Sequence, residues 1–215
     1  MTRHLYLCVA LMLLASTVQA SEVAMVTALS GTAELHAPGA SSATPLQAFV
    51  KLHQGDRLTL NQPVRLQLVF FASGTEQLWQ GPGELQVLPS GARAADAGLQ
   101  PQVRQLPSVL VKQLAKTPAP DGQVKAGMVR LRSMPSGGTL EAVEDNYAQM
   151  RSKADATDRN PELYLLAGYF ELHEFDKLKQ LLSQLHEQAP GNSEIAVLRS
   201  LYIRAINNAQ MAKQP

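Results

Sequence analysis

The sequence predicts a segregated α+β protein, with an N-terminal antiparallel β sandwich or roll followed by a small all-α domain. Two patterns support this fold class. Between residues 51 and 87, apolar and polar residues alternate with a period of two, and Leu66, Leu68 and Phe70 illustrate the apolar face. From Thr139 onward, apolar residues instead recur at the spacing of amphipathic helices.

The first 20 residues predict a cleavable export signal. Arg3 precedes an apolar run over residues 5–14. Val18 and Ala20 are the small residues that a signal peptidase reads, so we expect cleavage between Ala20 and Ser21. The apolar run is shorter than the roughly 20 residues that a membrane-spanning helix needs. We therefore expect a periplasmic protein that does not span the membrane after processing, and a retained short anchor is the alternative.

Charge and cysteine content exclude several function classes. The chain has 19 Lys and Arg residues and 18 Asp and Glu residues. Arg3 is the one charged residue of these types in the export signal, so the remaining chain is neutral, which argues against nucleic acid and anionic membranes as partners. The single cysteine, Cys8, also lies in the signal. Disulfides, a cysteine nucleophile and thiolate metal sites are therefore not expected.

The β part, residues 21–89, is expected to contain about six or seven strands. Two short strands, over residues 23–29 and 32–36, flank Gly31. An Ala-, Ser- and Pro-rich loop over residues 37–45 leads into the alternating stretch, whose strands are separated by Gly, Pro and Asn turns. This spacing is typical of a small antiparallel sandwich.

Residues 90–138 are rich in Ala, Gly and Pro and are predicted to form a linker region with two apolar islands. The first island, residues 107–116, begins with Pro and places Leu110 and Leu114 four residues apart, which predicts a short helix. The second, residues 127–134, alternates like a strand. Whether the islands pack on the sheet or on the helices stays open.

Residues 139–208 predict four helices. The first opens on a threonine N-cap, and Asn160 stands before a proline and a glutamate, in the order expected at the start of the second. The third begins near Phe175, and Ser193 caps the fourth. Residues 209–215 are expected to form a disordered tail.

Segments of the β part share their type, order and spacing with a known domain pattern: Leu29–Ala33, Gly55–Leu58, Leu66–Phe71, Ser73–Thr75 and Gln77–Val87. Through these segments the chain resembles the periplasmic FecR-type domain. The resemblance implies an antiparallel β-domain with a binding or sensing role in the cell envelope. Two departures bear on the signalling role. Ser73 stands where the family usually carries Asp, and the sequence shows neither the cytoplasmic segment nor the membrane helix through which a FecR protein signals to a sigma factor.

In the helical part, setting Pro190 as a closing proline places further residues on the packing positions of a helix-turn-helix repeat: Leu165, Tyr169, Leu178, Leu182 and Leu185. Residues 159–192 thereby resemble one tetratricopeptide repeat (TPR). Leu166 and Leu178 stand where the motif prefers Gly or Ala, so we expect its helices to pack less closely than in a true repeat. Because a single repeat cannot bury its own faces, the flanking helices are expected to cover it.

The sequence contains no nucleophile elbow, phosphate-binding loop or zinc-protease motif. The histidines beyond the export signal are not spaced for a metal site: His36, His53, His173 and His186. We therefore predict a protein that is not an enzyme and that holds no cofactor or metal. An enzyme of unrecognised type is the alternative.

Trp79 and three tyrosines are the candidate contact residues. If Leu78 faces the core, Trp79 lies on the opposite face of its strand, where packing under the islands is favoured over exposure as a contact site. The tyrosines would line a peptide-binding groove on the helices, and interior packing is the equal alternative: Tyr164, Tyr169 and Tyr202.

Together these patterns favour an exported, non-enzymatic periplasmic binding or adaptor protein. Its FecR-like β-domain and TPR-like helices would be presented to envelope proteins. One alternative is a carbohydrate- or peptidoglycan-associated module in which Trp79 stacks on sugar rings. The other is the sensor component of a FecR-type envelope signalling system.

Overall fold

The structure, a computed structural model, describes residues 21–119 and 139–211. Its strands are β1 (Glu22–Ser30), β2 (Ala33–His36), β3 (Thr44–Pro45), β4 (Lys51–His53), β5 (Arg57–Leu60), β6 (Arg65–Phe70), β7 (Thr75–Gln80), β8 (Gly83–Leu88), β9 (Gly91–Ala94) and β10 (Gln102–Gln105). The helices are α1 (Ser108–Leu114), α2 (Leu140–Lys153), α3 (Asn160–Glu171), α4 (Phe175–Gln188) and α5 (Ser193–Met211). None of these helices is long and apolar enough to cross a membrane.

The strands form two five-stranded antiparallel sheets. Sheet I has the order β10-β7-β6-β1-β4, and sheet II has the order β3-β2-β5-β8-β9. With the helices that follow them, these sheets confirm the predicted fold class. Residues 21–89 contain eight of these strands, more than the six or seven predicted, because β3 has only two residues and shows no period. The predicted linker region is wrong where β9 and β10 lie, and these strands of four residues each are also too short to show a period.

Alternation along the strands places one face of each sheet in a shared apolar cluster. Leu66, Leu68 and Phe70 of β6 belong to this cluster, as do Leu58 and Leu85 of sheet II, and all five are at most 1% exposed. The side chains of β6 that point the other way are not all polar, since Val69 is also fully buried. Sheet I therefore has apolar partners on both faces.

The helices cover the second face of sheet I. Met25 and Val69 from this sheet lie in one apolar cluster, the sheet–helix cluster, with residues from all five helices, including Leu114, Leu166 and Tyr202. Phe49, in the loop before β4, joins the same cluster. Burial of this much apolar surface between layers is the main favourable term in their association.

The short helix predicted within residues 107–116 is present as α1. Leu110 and Leu114 face the sheet–helix cluster. The Gln113 side chain donates a hydrogen bond to Glu171 of α3 over 3.1 Å, and Lys116 contacts the same carboxylate at 2.6 Å. This island thus packs with the helices on sheet I.

Gly31 shows why a glycine stands in the turn between β1 and β2. Its φ is +95°, and a Cβ added there would lie 2.1 Å from the carbonyl oxygen of Pro63. No other residue type fits this close approach. The glycine of the FecR-like segment therefore has a structural reason in this chain.

The start of α2 follows the predicted signal, whereas the predicted cap of α5 is wrong. The hydroxyl of Thr139 accepts a hydrogen bond from the Ala142 N–H over 3.3 Å, as an N-cap does, and Asn160 begins α3. Ser193 is the first residue of α5, and the Asn192 side-chain oxygen accepts the Ile195 N–H over 3.1 Å in its place. At the other end, α5 continues to Met211, so residues 209–211 are helical and do not belong to a tail as predicted. No glycine or proline interrupts the helix there.

Several predictions fall outside the described residues. These are the export signal up to Ala20, the strand suggested at residues 127–134, and the last four residues of the expected tail. Ser21, on the other side of the expected cleavage point, is exposed immediately before β1.

Candidate functional site

Trp79 lies inside the protein and cannot serve as a contact surface. Its side chain is 1% exposed in the cluster between the two sheets, and its Nε1 donates to Gln77 Oε1 over 3.3 Å. The prediction that Trp79 packs is confirmed, although it packs between the sheets and not under the islands. Leu78, on the opposite face, is only partly buried. Stacking of Trp79 on a sugar ring is excluded because neither ring face is open.

The three candidate tyrosines do not form a groove either. Tyr164, Tyr169 and Tyr202 are 2%, 8% and 0% exposed and belong to the sheet–helix cluster. Burial raises the pKa of Tyr169 to about 12, helped by the hydrogen bond that its hydroxyl donates to Glu144 over 2.9 Å. The interior alternative is therefore correct. Covering helices on both sides of the TPR-like unit explain this burial.

The histidines do not meet. Among the described residues, no group of three His, Cys, Asp or Glu side chains could hold a metal ion. His53 lies 3.9 Å from the buried carboxylate of Asp56, whose Oδ2 mainly serves to accept the His53 backbone N–H over 2.8 Å. The absence of catalytic, cofactor-binding and metal-binding residues remains a prediction.

A cavity opens where the edge of sheet I meets the helices, and we call it the β10 groove. Its volume is about 300 Å³. One wall comes from β10 and the start of α1, the opposite wall comes from α2, and the α2–α3 connection closes one end. Its lining includes Arg104, Val109, Leu110, Met150, Lys153, Asp158 and Asn160.

A network of charged and polar groups fixes the floor of the groove. Glu76 of β7 is 7% exposed, and Arg104 of β10 donates to it over 2.8 and 3.0 Å. The same guanidinium lies 2.9 Å from the carboxylate of Asp158. Gln67 and Asn160 donate to the other oxygen of Glu76 over 2.7 and 2.5 Å. This network joins sheet I to the α2–α3 connection.

The charges in this network stabilise each other. Burial alone would lower the pKa of Arg104, but the carboxylates of Glu76 and Asp158 outweigh burial and raise that pKa. Arg104 is thus permanently charged, and both acids beside it are already paired. Asn160 is 2% exposed, and its Oδ1 has no hydrogen-bond partner among the described residues.

The walls of the groove are partly apolar and partly cationic. Val109 is 40% exposed, while Leu110 and Met150 are buried or partly buried behind it. Lys153 forms no ion pair with any described residue. Beside the groove, all four residues of β10 are exposed, and the strand pairs only with β7 in the described part of the chain.

Two further cavities have a different character. One of about 480 Å³ lies over polar side chains on the outer face of sheet II, including His36, Arg57 and Glu84. Another, of about 240 Å³, lies beside the paired side chains of Arg151 and Glu162. Neither combines an apolar wall with an open strand edge, so the β10 groove is the stronger candidate.

The sequence did not point to the β10 groove. Its run Gln102–Gln105 contains one apolar residue, and the two acids that hold Arg104 come from two distant segments of the chain. The one available signal was Glu76, a carboxylate inside an otherwise strand-like run, which calls for a buried partner.

In comparisons with known proteins, the chain matches no family model, no curated protein and no solved structure. The function is therefore argued from the geometry of the groove.

Proposed function

We propose that the protein is an exported, non-enzymatic binding or adaptor protein of the periplasm, which holds a segment of an envelope protein in the β10 groove. One observation carries this proposal: the edge of β10, which pairs only with β7 among the described residues, lies beside a cavity with apolar and cationic walls. A polypeptide can use all three features at once, through its backbone, its apolar side chains and its acidic side chains. The FecR-like and TPR-like resemblances agree with a binding role.

Binding is favoured over catalysis by the chemistry of the lining. Among the described residues that line the groove there is no serine, threonine, cysteine, histidine or tyrosine. Asp158 is held by Arg104, and Glu76 below it has several donors, so neither acid is free to act as a base. Nothing in the groove resembles a nucleophile with its activating partner.

The other functional hypotheses have less support. The glycan-binding hypothesis depended on Trp79, which is buried. No observation in the structure favours the signalling hypothesis over a simpler binding role. Envelope proteins of unspecified type are thus the proposed partners.

The test is crosslinking of the tagged mature protein in the intact envelope, with mass spectrometry of captured proteins and muropeptides. A groove variant, Val109→Asp, is compared with a matched variant, Ile203→Asp, on α5. These two apolar side chains are similarly exposed, 40% and 36%, so each change adds one charge at a comparable surface. We expect a protein partner whose capture is lost in Val109→Asp and kept in Ile203→Asp. Capture of muropeptides alone, or equal capture by all three proteins, would contradict the proposal.

A further inference from the structure

We infer that the partner is an extended polypeptide segment that pairs with β10 as a sixth strand of sheet I, with an aliphatic and an acidic side chain directed into the β10 groove. This inference rests on the proposed function and specifies the chemistry of its partner. It follows from the hydrogen-bonding pattern of β10, from the length of the open edge and from the charges beside it.

The backbone of β10 has groups at defined positions that pair with no other strand in the described part of the chain. Gln102–Gln105 pair in register with Leu78 to Thr75, and one step further the Leu106 N–H donates to the Gly74 carbonyl over 2.9 Å. In an antiparallel ladder, hydrogen-bonded and non-hydrogen-bonded pairs alternate. Arg104 and Gln102 are therefore bonded to β7, and the N–H and C=O groups of Val103 and Gln105 point away from the sheet.

The open edge is short and bounded. Pro101 comes directly before β10, and Pro107 directly follows Leu106. Since proline has no N–H to donate, the edge can pair over little more than the four residues of β10. Short edges of this kind resist uncontrolled sheet extension, and they suit a short segment of a partner.

The side chains of the incoming strand would reach the groove at every second residue. Arg104 points to the helix side of sheet I, where it meets Asp158. Residues of the partner on that same side enter the groove between Val109 and Lys153. Val109 and Met150, which line the same cavity, can contact an aliphatic side chain. The groove therefore favours an aliphatic residue at one position of the partner.

Charge complementarity defines a second preference, for an acidic residue in the partner. Lys153 forms no ion pair with a described residue, whereas Glu76 and Asp158 are both engaged by Arg104. An acidic side chain of the partner would pair with Lys153, whereas a basic one would meet two cations and no unpaired acid among the described residues that line the groove. The preferred segment therefore carries an acidic and an aliphatic residue two positions apart.

A second copy of the chain fits this edge less well. If two copies of β10 paired with each other, the side chains directed at each groove would be Gln102 and Arg104 of the other copy. Arg104 of the other copy would then approach Lys153, which carries the same charge. To reach that position, Arg104 would also have to leave Glu76 and Asp158 of its own copy. We therefore assign the edge to a different, acidic partner.

The experiment measures the binding of a fluorescein-labelled peptide, Thr-Glu-Thr-Leu-Thr-Glu-Thr-Leu, to the mature protein. A second peptide carries N-methyl groups on the amides that would face β10, and a third has Lys in place of Glu. Two protein variants accompany them. Val103→Pro removes an outward N–H without removing a bond to β7, and Val103→Thr keeps the N–H and the side-chain shape.

We expect the first peptide to bind the wild-type protein and Val103→Thr alike. Binding should weaken by about tenfold or more for the N-methylated peptide and for Val103→Pro, because strand-edge hydrogen bonds are lost. Lys153→Glu should exchange the preference, so that the Lys peptide binds better than the Glu peptide. The N-methylated peptide keeps the test independent of whether Val103→Pro folds.

Three results would overturn the inference. These are equal binding of the first and N-methylated peptides, binding of the Lys peptide at least as tight as the Glu peptide to the wild-type protein, or a dimer in sedimentation that Val103→Pro dissociates. If envelope capture still depends on Val109 in any of these cases, the proposed function stands and only the mode of binding is wrong. If envelope capture yields no protein partner, the proposed function itself fails.

Discussion

The two faces of sheet I are buried against different kinds of surface. Between the sheets, the cluster around Leu68, Phe70 and Trp79 is apolar, and the buried amide oxygen of Gln77 accepts hydrogen bonds from groups of the sheets themselves. Between sheet I and the helices, an apolar centre is bordered by charged groups from distant segments. The first interface is specified by alternation, whereas the second needs particular polar partners to fix where the helices dock.

Two long-range contacts show how the helices are positioned. Asn160 at the start of α3 donates to Glu76, and Glu194 in the first turn of α5 accepts the Leu29 backbone N–H over 2.7 Å. The chain separations are 84 and 165 residues. These bonds lie at two different places of the interface, so they set the position of the helices on the sheet in a way that apolar contacts alone do not.

The largest effect is expected from the interface between the sheets. Trp79→Ala removes a fully buried ring and should lower the free energy of unfolding by about 4 kcal/mol. Trp79→Phe keeps most of the apolar volume and should cost about half as much. Urea unfolding followed by ellipticity measures both. If Trp79→Ala changed partner capture while stability stayed constant, the residue would be a contact site after all.

A smaller and more local effect is expected at the polar border of the sheet–helix interface. Glu76→Ala leaves Arg104 and Asn160 without their shared acceptor and should lower the free energy of unfolding by about 2 kcal/mol, since Arg104 keeps Asp158 and some access to water. Hydrogen exchange should increase in α2 and α3 more than in β6. Glu84→Ala, at an exposed position of sheet II, is the control. Uniform loss of protection would contradict the distinction between the two interfaces.

Within the helical layer, Gly168→Ala should destabilise the protein by about 1 to 2 kcal/mol, although alanine is the better helix former. A Cβ at Gly168 would lie 2.6 Å from Cγ1 of Val143, where α2 and α3 approach each other. The double variant with Val143→Ala should recover part of the loss, which a double-mutant cycle measures. Stabilisation by Gly168→Ala alone would show that the helices are less closely packed.

The smallest effect concerns pH and Glu194. Burial raises the pKa of Glu194 above its ordinary value of 4.5, against the opposing hydrogen bond from Leu29 and the charge of Arg159. The folded protein therefore binds this proton more tightly than the unfolded chain does, and the stabilising effect of protonation is lost as the pH rises from 4.5 through the raised pKa.

Glu194→Gln should remove this dependence while keeping an oxygen for the Leu29 N–H. At neutral pH, the free energy of unfolding of Glu194→Gln should exceed that of the wild type by less than about 1 kcal/mol. Urea unfolding at acidic and neutral pH measures how the free energy of unfolding changes with pH in each protein. Burial raises the pKa of Asp56 in the same direction, so a residual slope of the same sign should remain. A steeper slope in the variant would reverse the sign assigned to Glu194.

The fold class could be predicted because its signals are local. The alternation of Leu66, Leu68 and Phe70, the glycine at position 31 and the cap at Thr139 each depend on a few neighbouring residues, and the structure contains all of them. Trp79 was harder to place, because sheet I is buried on both faces and alternation cannot tell one buried face from the other.

The candidate site could not be predicted for a related reason. β10 has no apolar alternation, and its strand geometry comes from pairing with β7. The β10 groove exists only when this edge, α2 and the connection after it come together. The tyrosines failed as site residues because the sequence shows their type and spacing but not the helices that cover them.

The most direct test of this account is equilibrium unfolding of the wild-type protein followed by two signals. Trp79 is the one tryptophan in the chain, so its fluorescence reports on the space between the sheets, while far-UV ellipticity is dominated by the helices. Because helices and sheet I share one core, we predict that both signals change at the same urea concentration. Loss of ellipticity at lower urea, with Trp79 fluorescence unchanged, would contradict the shared core on which the β10 groove depends.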